Sequence, residues 1–161
     1  MLRAKGIASV GGIALLVAAA LLLGACATGA PAGKELERQA KSFEVPAGRA
    51  VIYVYRRENP LDLSYFAQVT LDARYIGWIG PRNFLMRVVD PGPHAIDVEY
   101  RDSTRLKATP LSIDAKPGAR YFVQLDTESS FISTKKITQT LVADSAAQQE
   151  VTSGILVKWL D

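Results

Sequence analysis

From Phe43 onward the chain alternates short apolar runs with clusters of Pro, Gly, Asn and Asp, the pattern of a protein built from strands and turns. Val51-Ile52-Tyr53-Val54-Tyr55 is continuously β-branched and aromatic, which predicts a central strand covered on both faces. Ile96-Asp97-Val98-Glu99-Tyr100 alternates instead, which puts Ile96, Val98 and Tyr100 on a packed face and the two acids on a wet one. Similar runs at 68–71, 84–89, 105–109, 121–125 and 137–142 bring the expectation to about seven strands. Strands this short and this closely spaced predict a mainly β fold, an antiparallel β-sandwich with a C-terminal helix.

Three of the apolar runs follow the same punctuation, Pro46-Ala47-Gly48 before Val51, Pro91-Gly92 before Ile96 and Pro117-Gly118 before Tyr121. Pro sets φ and Gly accepts positive φ, so each pair reverses the chain. Residues 34–42 predict a short helix, with Leu36 and Ala40 four apart among charges. Near the end, Asp144 is placed to cap a helix, and Ala147, Val151, Ile155 and Trp159 recur every four residues as one apolar stripe. That helix is expected to cover a face or open edge of the sheets. Gly154 argues against it, and a last strand over 155–160 is the alternative.

The first 25 residues stand apart: Arg3 and Lys5 precede an uncharged run from Ile13 to Leu23, the basic-then-apolar order of a secretory signal. The run ends in Leu23-Gly24-Ala25-Cys26, which resembles the lipobox of bacterial lipoproteins. The resemblance implies diacylation of Cys26 on sulfur, cleavage before it, and a protein held to a membrane by acyl chains. Cys26 is the one cysteine of the chain, so no intramolecular disulfide competes for it. Two or three chains, at roughly 0.8 kcal/mol per buried methylene, make such an anchor close to permanent. Ala27 follows the cysteine, where an Asp is the usual signal for inner-membrane retention in enterobacterial lipoproteins. The expected address is therefore the periplasmic face of the outer membrane. Ala27 to Gly33 is small and Pro/Gly-rich, as a flexible tether is. The expected organisation is a signal peptide over 1–25, a lipidated cysteine and tether over 26–42, and a β-rich periplasmic domain over 43–161.

Removing the first 25 residues takes away two cations and no acid, leaving 17 Lys and Arg against 16 Asp and Glu, so the formal charge falls from +3 to +1. A chain so balanced lacks the massed cations that nucleic-acid binding needs to displace counterions.

Between Phe43 and Val142 the chain resembles a family of bacterial lipoprotein domains, the domain of unknown function 2846. The likeness is carried by Pro46-Ala47-Gly48, Ile52-Tyr53-Val54-Tyr55-Arg56, Val69-Thr70-Leu71-Asp72 with Ile76-Gly77, Val89-Asp90-Pro91-Gly92-Pro93-His94, and Gly118 with Tyr121. The middle is also similar to the short β modules called PEGA domains, which implies a small β fold at a bacterial surface. Such domains commonly place Gly after the hairpin Asp, where this chain has Ala73. Ala at positive φ is costly, so a wider loop is expected there than a tight primed turn.

Catalytic chemistry finds few candidates. His94 is the sole histidine, so a Ser-His-Asp triad would have to use it as base, whereas the resemblance implies a turn residue. With one His and a lipidated Cys, a zinc site would be left to carboxylates, which favour hard ions held by dense acidic loops, and Gly77-x-x-Gly80 lacks the Lys-Ser of a phosphate loop. No cofactor, metal or catalytic residue is assigned. Asp97 and Glu99 share a strand face and would carry the carboxylate chemistry of an envelope glycan hydrolase, one alternative function. The main expectation is a non-catalytic structural or binding role in the cell envelope. Tyr75 and Trp78, with Ile76 and Ile79, are expected beside a loop as a surface for a sugar or a partner, which would suit an accessory subunit of an envelope secretion or assembly complex. The basic pairs Arg56-Arg57 and Lys135-Lys136 are candidates to meet peptidoglycan or lipopolysaccharide.

Overall fold

The computed structural model describes residues 31–58, 66–100, 106–128 and 136–158. The Leu23-Gly24-Ala25-Cys26 motif, Lys135 and Trp159 lie outside these residues. Among the described residues no helix is long and apolar enough to cross a membrane.

The elements run α1 (Lys34–Ala40), β1 (Ala50–Arg56), β2 (Ala67–Leu71), β3 (Arg74–Ile79), β4 (Asn83–Val89), β5 (Gly92–Tyr100), β6 (Leu111–Ala115), β7 (Arg120–Glu128), β8 (Lys136–Val142), α2 (Asp144–Ser153) and β9 (Ile155–Leu156). They form two sheets, one in the order β8-β7-β1-β4-β9 and one in the order β3-β2-β5-β6. The fold is mainly β and sandwich-like. The four-stranded sheet is antiparallel throughout. In the five-stranded sheet β1 runs parallel to β7 and β4 parallel to β9.

β1, apolar from Ala50 to Tyr55 and closed by Arg56, lies at the centre of its sheet, and all seven of its residues are buried. Ala50, Ile52 and Val54 face the core between the sheets, where Val69, Ile96, Val98, Tyr100 and Val123 meet them. Val51, Tyr53 and Tyr55 face the other way, into a second core roofed by Ala40 of α1 and by Ala147 and Val151 of α2. The molecule thus has three layers, helices on sheet on sheet.

Tyr53 organises the second core. Its ring stacks on Phe122 at 4.8 Å between centroids, with Phe43 at 5.6 Å and Phe84 at 6.4 Å. Its hydroxyl donates to the carbonyl of Ala40, 2.9 Å away, and so ties α1 to the sheet. Burial pushes the Tyr53 phenol up to about 12, Asp144 adding to that and Arg120 opposing it. Arg120 joins the segment that follows α1 to the start of α2, donating to the Phe43 carbonyl at 3.0 Å and to Asp144 at 2.6 Å.

Several expectations are revised. Part of the stretch read as a tether belongs to the fold: Pro31 bridges Val157, and the buried Ala32 donates its N–H to the Leu156 carbonyl at 2.9 Å. Of the run at 105–109, the described residues show a single bridge, Lys107 to Glu99, and the strand beside β5 is Leu111–Ala115 instead. The C-terminal stripe splits. Ala147 and Val151 are buried in α2, the helix ends at Ser153, and Ile155 pairs with Asn83 in β9. A Cβ on Gly154 would lie 3.2 Å from the Arg82 carbonyl and 3.3 Å from the Phe84 ring, so this crossing is shaped by the close approach of the chain to β4. Asp144 is the first helical residue rather than the cap, which is Ala143.

The wide loop expected after Asp72 is also overturned. Leu71 pairs with Arg74, and the two residues between them have φ of 51° at Asp72 and 62° at Ala73. This is a two-residue turn with both central residues left-handed, the primed type whose twist suits a hairpin. Two tertiary bonds hold it: the Asp72 N–H donates to the Ala95 carbonyl and the Ala95 N–H to the Asp72 carboxylate, both at 2.9 Å.

Candidate functional site

At the end of the sandwich next to this turn lies a cleft of about 360 Å³. Its walls come from the β2–β3 hairpin (Asp72, Arg74, Tyr75), the last turn of β4 and the residue after it (Arg87, Asp90), the entry to β1 (Arg49) and the start of β5 (His94).

His94 is the best-held group in it. Its Nδ1 lies 2.6 Å from Asp72 Oδ2 and its Nε2 lies 2.8 Å from the Asp90 carbonyl oxygen. A backbone carbonyl only accepts, so Nε2 carries a hydrogen, and an ionised carboxylate at this distance takes one from Nδ1. With both ring nitrogens set against acceptors, the geometry favours the doubly protonated ring. Burial works against that charge, but the Asp90 carbonyl, the Asp72 hydrogen bond and the charges of Asp72 and Asp90 outweigh it, holding His94 above its ordinary value. Burial likewise raises Asp72, yet the bonds from His94 and from the Ala95 N–H bring it below the usual carboxylate range.

The cations around this pair are placed by strand geometry. Arg49 pairs with Asp90 at 2.8 Å and donates to the Val89 carbonyl at 3.2 Å. Arg87 stands on the same side of β4 as the core residues Leu85 and Val89, at the border of the inter-sheet space. Arg74 opens β3 and is exposed, with no ion pair or hydrogen bond among the described residues.

The arrangement limits the chemistry of His94. A general base needs a nitrogen lone pair facing its substrate, and here both nitrogens are engaged by acceptors on the protein. Among the described residues no three His, Cys, Asp or Glu side chains gather as metal ligands would.

The residues singled out by sequence are dispersed. Tyr75 and Trp78 belong to a strand, not a loop, and share the outer face of the four-stranded sheet, their rings 6.2 Å apart and edge-on. Residues three apart share a face because a bulge intervenes: Val69 pairs with Gly77 and Thr70 with Tyr75, leaving Ile76 as the extra residue. Ile76 and Ile79 are buried in the core between the sheets, so they offer no docking surface. Gly77 makes the bulge possible. Its φ is 153°, and a Cβ there would lie 2.9 Å from Leu85 Cδ2.

Asp97 and Glu99 lie on that same outer face, Asp97 exposed and Glu99 paired with Lys107 at 3.3 Å. Gln68, Thr70 and Lys107 join them along a groove of about 440 Å³. Arg56 is not a surface cation. It is 3% exposed, with its guanidinium 5.5 Å from the Tyr100 ring centroid. Arg57 is exposed and pairs with Glu150 at 3.1 Å, so the pair does not present two neighbouring charges to an envelope polymer. Lys136 is exposed at the start of β8.

Sequence reasoning passed over Arg49, Arg74 and Arg87, which come from three separate segments with no common spacing. The sole His after Pro91-Gly92-Pro93 was the one visible signal of this cleft.

No family model matches the chain. A protein of Haemophilus influenzae named as an uncharacterized protein is 30% identical over 112 residues, 69% of this chain and 64% of that protein. The chain spans a little under two thirds of that relative's length.

Proposed function

We propose that the chain is a lipid-anchored protein of the cell envelope, held at the periplasmic face of the outer membrane by acyl chains on Cys26, and that its β domain binds or braces a partner without catalysing a reaction. The anchor is argued from Leu23-Gly24-Ala25-Cys26, and the resemblance to the domain of unknown function 2846 belongs to the same proposal. The non-catalytic part is carried by one observation, that the sole histidine has both ring nitrogens bonded within the protein. Pro31, bridged to Val157, stands five residues on from Cys26. At roughly 3.5 Å per extended residue the anchor leaves the domain within about 18 Å of the lipid. A docking role for the outer face of the four-stranded sheet is favoured by the Tyr75 and Trp78 rings that it displays. A glycan hydrolase built on Asp97 and Glu99 finds less support, since Glu99 is bridged to Lys107.

The test is Cys26→Ser followed by cell fractionation and mass measurement of the native chain. The proposal expects loss of the acyl mass and release of the protein from the membrane. An unmodified sulfur in the native protein, or full membrane retention of the variant at unchanged mobility, removes the anchor.

A further inference from the structure

We infer that the outer edge of β8 is a self-association site, where a second copy of this chain adds its own β8 antiparallel about a two-fold axis through Gln139 and joins the two five-stranded sheets into one. An edge strand presents a row of unpaired backbone N–H and C=O groups, a template for another strand unless something blocks it. The four sheet edges of this molecule differ in that respect. β9 has two residues, and the segment before α1 closes its far side through the Pro31 bridge to Val157 and the bond from the Ala32 N–H to the Leu156 carbonyl. β3 is interrupted by the bulge at Ile76. β6 has five residues, lies between Pro110 and Pro117, and carries the exposed Asp114. β8 has none of these devices. It runs seven residues in unbroken register with β7, holds no Pro, no Gly and no charge beyond Lys136, and among the described residues pairs with β7 alone.

The order of residues in β8 selects a second copy as the occupant. Reversed about Gln139, the strand is its own complement: Ile137 falls opposite Leu141, Thr138 opposite Thr140, and Gln139 opposite itself. Apolar against apolar and Thr against Thr are favourable cross-strand pairs, and no like charges meet, since Lys136 falls opposite Val142. Hydrogen-bonded and non-bonded pairs alternate along an antiparallel ladder, so an axis through a residue closes the ladder in either phase. The side chains agree with the backbone. Ile137 is buried between the sheets, whereas Leu141, two steps along the same face of β8, is 47% exposed. The pairing gives Leu141 the Ile137 of the second copy as its neighbour. Gln139 donates from Nε2 to the Thr109 carbonyl at 2.9 Å and to the Ile96 carbonyl at 3.3 Å, while its buried Oε1 has no hydrogen-bond partner among the described residues. That acceptor lies at the axis, where the second copy sets its own amide opposite, the arrangement that Gln side chains use in ladders between strands.

The test is sedimentation equilibrium of the purified full chain in density-matched detergent across the micromolar range. The site predicts a reversible dimer of twice the chain mass. Thr138→Lys combined with Thr140→Lys sets lysine against lysine in both halves of the pair, and should raise the dissociation constant at least about tenfold. Ser112→Lys, a cation placed on the β6 edge instead, should leave the dimer unchanged. The register is read separately by co-expressing two differently tagged chains, one with Thr138→Cys and one with Thr140→Cys. Mild oxidation should join the two tags by a disulfide above the background of the parent chain. A monomer throughout the range overturns the inference, whatever other protein the strand takes. So does a dimer that the paired lysines leave intact while the variant keeps the parent's circular dichroism. Should the lysines unfold the chain, absence of the cross-link between the two tags overturns it on its own. None of these outcomes bears on the acylation of Cys26, which is read by mass and fractionation.

Discussion

Ala73→Gly should stabilise this protein. Ala73 has φ of 62° as the second residue of a two-residue turn, where a Cβ crowds the following carbonyl at a cost of about 1–2 kcal/mol. Glycine removes that cost but makes the unfolded chain more flexible, which costs about 0.4–1 kcal/mol. The difference is a net gain of about 0.5–1 kcal/mol, and for a domain of this size about 1 kcal/mol moves Tm by roughly 3–5 °C. Asp72, also left-handed at φ 51°, needs no such relief, because Asp tolerates this region and its carboxylate is bonded to the Ala95 N–H. Urea denaturation followed by circular dichroism measures the effect as a higher midpoint at unchanged slope. Ala73→Val, with a branched Cβ in the same region, should lower the midpoint. A midpoint that falls with Gly, or that ignores both substitutions, would show that the hairpin does not close through a primed turn and that the reasoning about Ala73 is wrong.

Two further substitutions test the His94–Asp72 pair and the core beneath the helices. Because the folded pKa of His94 lies above its ordinary 6.5, its charge-dependent contribution to stability is complete below the unfolded value and is lost as pH rises through the folded one. The stability difference between the parent and His94→Gln should therefore be larger at pH 6 than at pH 8.5, by about 1–2 kcal/mol at most. Asp72 works in the other direction: with its pKa lowered, its contribution is lost as the solution is acidified through the folded value, so the pair is strongest between the two transitions. A difference that grows toward alkaline pH would contradict the imidazolium assignment. Tyr53→Phe keeps the stacked ring but leaves the Ala40 carbonyl without its donor, and should cost about 1–2 kcal/mol in chemical denaturation while amide exchange in α1 accelerates.

Much of the fold was legible because burial leaves its mark on residue type. A strand covered on both faces cannot carry polar side chains without cost, so Val51 to Tyr55 identified the central strand. A strand with one wet face alternates, so Ile96 to Tyr100 declared which side packs. The Pro-Gly pairs marked turns for a similarly local reason: Gly48 and Gly118 both take positive φ, at 72° and 76°. What they could not say is that these two turns lie side by side, Gly118 donating to the Arg49 carbonyl at 2.7 Å, because β1 and β7 run parallel.

Tertiary structure decided wherever a local preference was outweighed. Gly154 divides an apolar stripe into a helix and a strand because the chain there passes against β4. The bulge at Ile76 changes which side chains share a face, and a strict alternation cannot anticipate it. Ala73 sits in a conformation its own chemistry disfavours, held by hydrogen bonds from a residue more than twenty positions away. The cleft belongs to the same class. Arg49, Arg74, Arg87 and His94 are ordinary polar residues on four separate segments, and only the pairing of strands into two sheets brings their charges to one end of the molecule. Sequence alone determines what each segment prefers, because preference is local; which segments meet is a property of the whole packed chain.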